Sequence, residues 1–158
     1  MRITVALAAI IPLTSCILHD GECHQDKDVK LGCEFYQTAY DSINETYSAR
    51  PLNSITTVHG LDNDSLLYDS VRTNSVYLPL NNFDTTCAFV LQRDTLTSDT
   101  LTLHYHNNDN FISIECGCII QHTLTDFDIT THQIDSVILL KNFIGDAATK
   151  HLRVFFKE

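Results

Sequence analysis

Two clusters in this sequence hold side chains able to do chemistry. Cys116-Gly117-Cys118 places two thiols one residue apart, and neighbouring thiols exchange disulfides when one is held as a thiolate. His104-Tyr105-His106 places two imidazoles at i and i+2, on one face of a strand. There they would ligate a transition metal if a third ligand such as His122, His132 or Glu115 came from a neighbouring strand. Each cluster lacks part of what its chemistry needs. Redox dithiols are usually spaced by two residues at a helix start, whereas this triplet reads as mid-strand with no cation beside it. The histidines share their face with Thr100 and Thr102, as on the solvent side of a strand. No Gly-x-Ser-x-Gly elbow, His-Glu-x-x-His motif or glycine-rich nucleotide loop occurs. Asp62-Asn63-Asp64 lacks the glycine and distal glutamate of a calcium loop and reads as a turn. The expectation is a protein without catalytic residues, metal or cofactor.

The chain's first stretch carries a different chemistry. Arg2 precedes an apolar run from Ile3 to Leu13, too short to span a bilayer as a helix, and Leu13-Thr14-Ser15-Cys16 resembles a bacterial lipobox. This implies a helical signal peptide over 1–15, cleavage before Cys16, and diacylglycerol on its thiol as the contact with the membrane. Residues 16–30 are polar and read as a tether, in which Asp20 and Glu22 resemble an acidic surface-export signal. One domain is expected over 31–158. With 20 acidic against 10 basic residues, a formal charge of −10, the chain has no basic stripe to replace the counterions of nucleic acid.

From Pro51 onwards, short runs of β-branched and apolar residues alternate with Asp, Asn, Ser, Thr and Gly clusters. Strands are expected at Leu31 to Thr38, Ser54 to His59, Ser65 to Asp69, Ser75 to Leu80, Cys87 to Arg93, Thr100 to His106, Phe111 to Leu124, Gln133 to Lys141 and His151 to Lys157. An irregular or briefly helical connection is expected between Thr38 and Pro51, and turns at Gly60 to Asp64, Arg72 to Asn74, Asn81 to Asp84 and Asn107 to Asn110. The fold class is all-β: an antiparallel β-sandwich, with a small β-barrel as the alternative. Alternation sends Leu101, Leu103 and Tyr105 inward, and likewise Cys87, Phe89 and Leu91. On the long expected strand it does the same for Ile112, Ile114, Cys116, Cys118 and Ile120.

Asp64-Ser65-Leu66-Leu67-Tyr68, Leu78-Pro79-Leu80, Asp99-Thr100-Leu101-Thr102-Leu103-His104-Tyr105, Phe111-Ile112-Ser113-Ile114-Glu115-Cys116-Gly117 and His151-Leu152-Arg153-Val154-Phe155-Phe156 together resemble an uncharacterised lipoprotein family of the Bacteroidota, a domain of unknown function. The resemblance runs from about Cys23 to the C-terminus. It implies an envelope lipoprotein of the outer membrane, with a small all-β domain and no assigned activity. Six cysteines minus the anchor leave five, so at least one thiol stays free or pairs between molecules. Cys23 with Cys116 is the first pairing to consider, and Cys33 with Cys118 the second. A recurring Asp, Ser/Thr, apolar-or-Thr triplet resembles the O-glycosylation signal of Bacteroides-type envelopes. Its acceptors would be Ser42, Ser65, Ser70, Thr85, Thr95, Thr100 and Ser136, although Asp-initiated turns generate the same pattern. The leading expectation is a non-catalytic binding or scaffolding module for an envelope protein or glycan. The alternatives are a small-ligand or metal carrier using the His104 and His106 face, and an envelope enzyme with a cysteine nucleophile or redox centre.

Overall fold

Leu101, Leu103 and Tyr105 alternate with polar residues, and all three are buried, because the strand that carries them lays one face on a second sheet. The computed structural model describes residues 23–24, 26–62, 66–93 and 97–157, so the signal segment, Cys16, Ser65 and Thr95 lie outside the described residues. The strands are β1 (Lys30–Asp41), β2 (Thr46–Pro51), β3 (Ser54–Gly60), β4 (Leu66–Thr73), β5 (Ser75–Pro79), β6 (Thr86–Arg93), β7 (Ser98–Ser113), β8 (Gly117–Ile129), β9 (Ile134–Leu139), β10 (Phe143–Ile144) and β11 (Lys150–Phe156). No helix occurs among the described residues.

The strands form two sheets that do not close into a barrel. One has the order β10-β8-β7-β6-β3-β4 and is antiparallel throughout. The other has the order β2-β1-β11-β9, with β5 also pairing β1 along its first half. This second sheet is mixed, since β1 and β11 run parallel, a departure from the all-antiparallel expectation. Parallel neighbours need a long connection, and here the intervening domain supplies it. Between the sheets lie Leu31, Cys33, Phe35, Val76, Leu78, Leu152, Val154 and Phe156 from one side. Val58, Phe89, Leu91, Leu101, Leu103, Tyr105, Leu124 and Ile144 face them from the other. Burying each large apolar side chain contributes about 1.5–3 kcal/mol. Gly32 is needed where β1 meets β11, because a β-carbon there would collide with the Thr149 carbonyl oxygen.

Three expectations are corrected. The connection between Thr38 and Pro51 is a hairpin: β1 runs to Asp41, Glu45 takes a left-handed φ of 52°, and β2 returns along β1. Asn107 to Asn110 is not a turn but part of β7, where pairing with β8 outweighs local turn preference. The expected strand Phe111 to Leu124 is broken, because the chain reverses over 114–116 and Gly117 closes the turn with φ 70°. The inward face changes across that turn. Ile114 is 90% exposed and Cys118 is exposed, while Ile119 and Leu124 are buried instead.

Asp99 connects the sheets. Its side chain is 1% exposed, and its carboxylate accepts hydrogen bonds from Thr130 Oγ1 at 2.8 Å, His132 N at 2.7 Å, Gln133 N at 2.7 Å and Ile134 N at 2.9 Å. The chain there is leaving β8 in one sheet for β9 in the other. Burial alone would push the Asp99 carboxyl up, but the three backbone N–H donors and the Thr130 hydroxyl outweigh it and hold the pKa below the usual value. A depressed folded-state pKa adds stability above the unfolded carboxylate range, and that stability is lost as pH falls through the folded value. Asp99→Asn is expected to lower the unfolding free energy by about 2–4 kcal/mol at neutral pH. It should also flatten the loss of stability on going to about pH 3. Urea unfolding at both pH values measures each effect, and an unchanged midpoint would remove this role from Asp99.

Candidate functional site

The clearest concavity opens between the β3–β4 turn, the end of β5 and the start of β6, with a volume of about 470 Å³. Leu80 and Phe89 are buried beneath it, while Leu61 and Leu67 are 51% and 38% exposed at its sides. Among the described residues of the lining, Asp62 and Asp84 carry charge and no cationic side chain joins them. Phe83, 96% exposed, projects from the Asn81–Asp84 turn that forms one wall. The volume lies within the range of small-molecule sites, but the cavity is an open groove and not an enclosed pocket.

That wall is held by residues whose importance the sequence concealed. Asn107 Nδ2 donates to Asn82 O and Asp84 O, each at 2.9 Å. Asn107 Oδ1 accepts from His122 Nδ1 at 2.7 Å. His122 is buried, and burial lowers its pKa, which favours the neutral ring this hydrogen bond uses. Tyr105 completes the clamp: its hydroxyl accepts from Asn81 N at 2.9 Å and donates to Asn81 O at 3.1 Å. An asparagine among Asn107 to Asn110 reads as turn chemistry. Only the neighbouring strand and loop show that it holds the groove wall.

The proposed metal set is not assembled. His104 Nε2 lies 3.1 Å from Asp128 Oδ2 and its Nδ1 lies 3.3 Å from Thr86 Oγ1, so both ring nitrogens have partners. His106 is exposed on that same face of β7. His122 lies on the buried side, His132 is bonded to Asp99, and Glu115 sits in the β7–β8 turn. Among the described residues, no group of three His, Cys, Asp or Glu side chains could hold an ion.

The thiols separate in the same way. Cys23 and Cys116 form a disulfide with Cα atoms 4.9 Å apart, tying the segment before β1 to the β7–β8 turn. Cys33 and Cys118 do not pair, because Cys33 is in the core and Cys118 is at the surface. With Cys116 in the disulfide, the Cys116-Gly117-Cys118 dithiol has only one free thiol. Burial pushes Cys33 up to about 12 and Cys87, in the groove wall, up to about 11. Both thiols stay protonated near neutrality, so neither is an attacking thiolate.

The glycan triplets fall in unlike settings. Ser42, Ser70, Thr85 and Ser136 are exposed, whereas Thr100 is half-buried behind the engaged Asp99. For Asp99-Thr100-Leu101, the aspartate serves the fold as a buried acceptor.

Fold and site together define a two-sheet β-sandwich with an open, acidic-flanked groove of mixed polar and apolar lining. The chain belongs to the Family of unknown function (DUF6452), whose model matches residues 55–156, from β3 to the end of β11. Neither the curated proteins nor the solved structures give a match. Strand β1 lies outside the matched region yet supplies Leu31, Cys33 and Phe35 to the core.

Among the cysteines from Cys23 onwards, iodoacetamide at mildly alkaline pH should label Cys118 in the folded protein and leave Cys33 and Cys87 unmodified. Denaturation without reduction should expose all three. Peptide mass spectrometry reads the difference, and rapid labelling of native Cys87 would show a reactive thiol in the groove.

Proposed function

We propose that this protein is a lipid-anchored cell-envelope module of the Bacteroidota lipoprotein type, whose β-sandwich binds a partner without catalysing a reaction. The observation that carries this reading is the pairing of two features near the N-terminus. Leu13-Thr14-Ser15-Cys16 supplies a lipid acceptor, and Cys23, soon after it, is disulfide-bonded to Cys116. Disulfides persist in oxidising compartments, which supports export, and a lipidated Cys16 would then keep the exported domain at a membrane, the outer membrane being the expected one. Stable attachment needs more than one acyl chain, as a processed lipoprotein cysteine provides. Cys16→Ser is expected to leave the precursor unprocessed or to release the protein from the membrane fraction. Normal processing, lipid labelling and membrane retention in that variant would refute the anchoring.

The groove supports the binding half of the reading. Its apolar sides with Asp62 and Asp84 suit a protein segment that presents apolar side chains beside a lysine or arginine. These features favour recognition at the groove over the His104 and His106 face, where the carrier alternative would put it. A photo-crosslinking residue at Phe83 should give one discrete adduct in native membranes. The adduct should fall at least about tenfold when Leu67→Asp is added, since a charge would then replace an apolar contact. An adduct that survives Leu67→Asp unchanged would exclude the groove as the contact.

A further inference from the structure

The β7–β8 turn carries an apolar pair that no core accounts for. Ile114 is 90% exposed and Phe111 is 64% exposed, the first within the turn and the second on the strand leading into it. Single exposed apolar residues are common, but these two lie beside the disulfide that fastens the N-terminal segment to Cys116. Lys27 reaches the same place, its Nζ donating to Cys116 O at 2.5 Å.

Chain length turns this adjacency into a constraint. Seven peptide units separate Cys16 from Cys23, which in any conformation span at most about 25 Å. If Cys16 is held by acyl chains, Cys23 stays within that distance of the bilayer surface, and the turn bonded to it stays there too. Without the disulfide, the same tether would leave the turn free to face either way. We propose that the β7–β8 turn is a membrane foot, with Ile114 and Phe111 entering the headgroup boundary of the bilayer to which Cys16 anchors the chain. The proposal rests on the lipid-anchor reading above and adds an orientation to it.

The physical terms agree with shallow entry. The turn lies at the end of a hairpin whose backbone groups are paired along β7 and β8, so little unsatisfied backbone is carried into the interface. Ile114 and Phe111 gain apolar contact, while Lys27 places an ammonium at the level of lipid phosphates. Glu115, exposed at the same turn, keeps entry at headgroup depth and disfavours strongly anionic surfaces. The groove lies away from this end. Between Ser113 and Asn107, which clamps the Asn81–Asp84 wall of the groove, β7 rises roughly 20 Å. The foot therefore directs the groove away from the lipid.

The chain contains no tryptophan, which provides a direct test. Ile114→Trp introduces a single indole at the foot, and Phe83→Trp introduces one at the groove. Each full chain, expressed with its native processing, is reconstituted into vesicles of zwitterionic lipid with and without brominated acyl chains. Intact mass of the N-terminal peptide reports lipidation of Cys16. With lipid present, the indole at position 114 should be quenched at least about threefold more strongly than that at position 83. Adding Cys23→Ser should remove most of the difference while leaving vesicle attachment intact. Equal quenching at the two positions with Cys16 lipidated overturns the foot and leaves the anchor standing. A Cys16 that carries no lipid overturns the anchor, and the foot with it.

Discussion

The structure depends on one buried carboxylate. The strands of a two-sheet protein find backbone partners within their own sheet, but a chain crossing between sheets has a stretch whose N–H groups face neither ladder. Here that stretch is His132 to Ile134, and Asp99 at the start of β7 receives its three backbone donors together with the Thr130 hydroxyl. Left unpaired, each buried N–H would cost about 1–3 kcal/mol. Asp99 thereby fixes where β9 begins, and β9 in turn pairs β11, which pairs β1. An aspartate is suited to this place because its two oxygens have room for several donors and its charge strengthens each bond.

A second polar cluster serves the groove. Asn107, His122 and Tyr105 hold the Asn81–Asp84 turn against β7, so one wall of the concavity is preorganised by side chains that never line its surface. Burial favours a neutral His122, as a ring that donates to an amide oxygen and packs edge-on against Tyr105 should be. The thiols in and near this region are adapted to packing. Cys87 is kept protonated by its surroundings, so it is not an activated nucleophile in the groove wall.

The long β7–β8 hairpin joins the groove wall to the N-terminal segment. Its middle holds the groove wall through Asn107, and its turn holds the N-terminal segment through Cys116. Linking Cys23 to Cys116 closes a loop across a sequence separation of 93 and restricts the unfolded chain, a stabilisation of about 2–5 kcal/mol. The same bond also positions the domain: whatever holds the chain upstream of Cys23 is held close to this turn.

Alternation and turn chemistry in the sequence determined the all-β class and most strand positions, together with the inward side chains of Thr100 to His106 and the turn at Asn81 to Asp84. These are local properties, since a period of two and a cluster of Asn and Asp act through neighbouring residues. Tertiary structure alone decided the parallel pairing of β1 with β11, the buried role of Asp99, the clamp at Asn107 and the separation of His122 from His104. Each of these depends on a partner far along the chain. Ile112, Ile114, Cys116, Cys118 and Ile120 show the limit most clearly: their alternation describes one continuous strand, while a left-handed Gly117 and the strand pairing beyond it fold them into a hairpin. Periodicity specifies which face a residue takes only while the strand continues, and where a strand ends is settled by its partners.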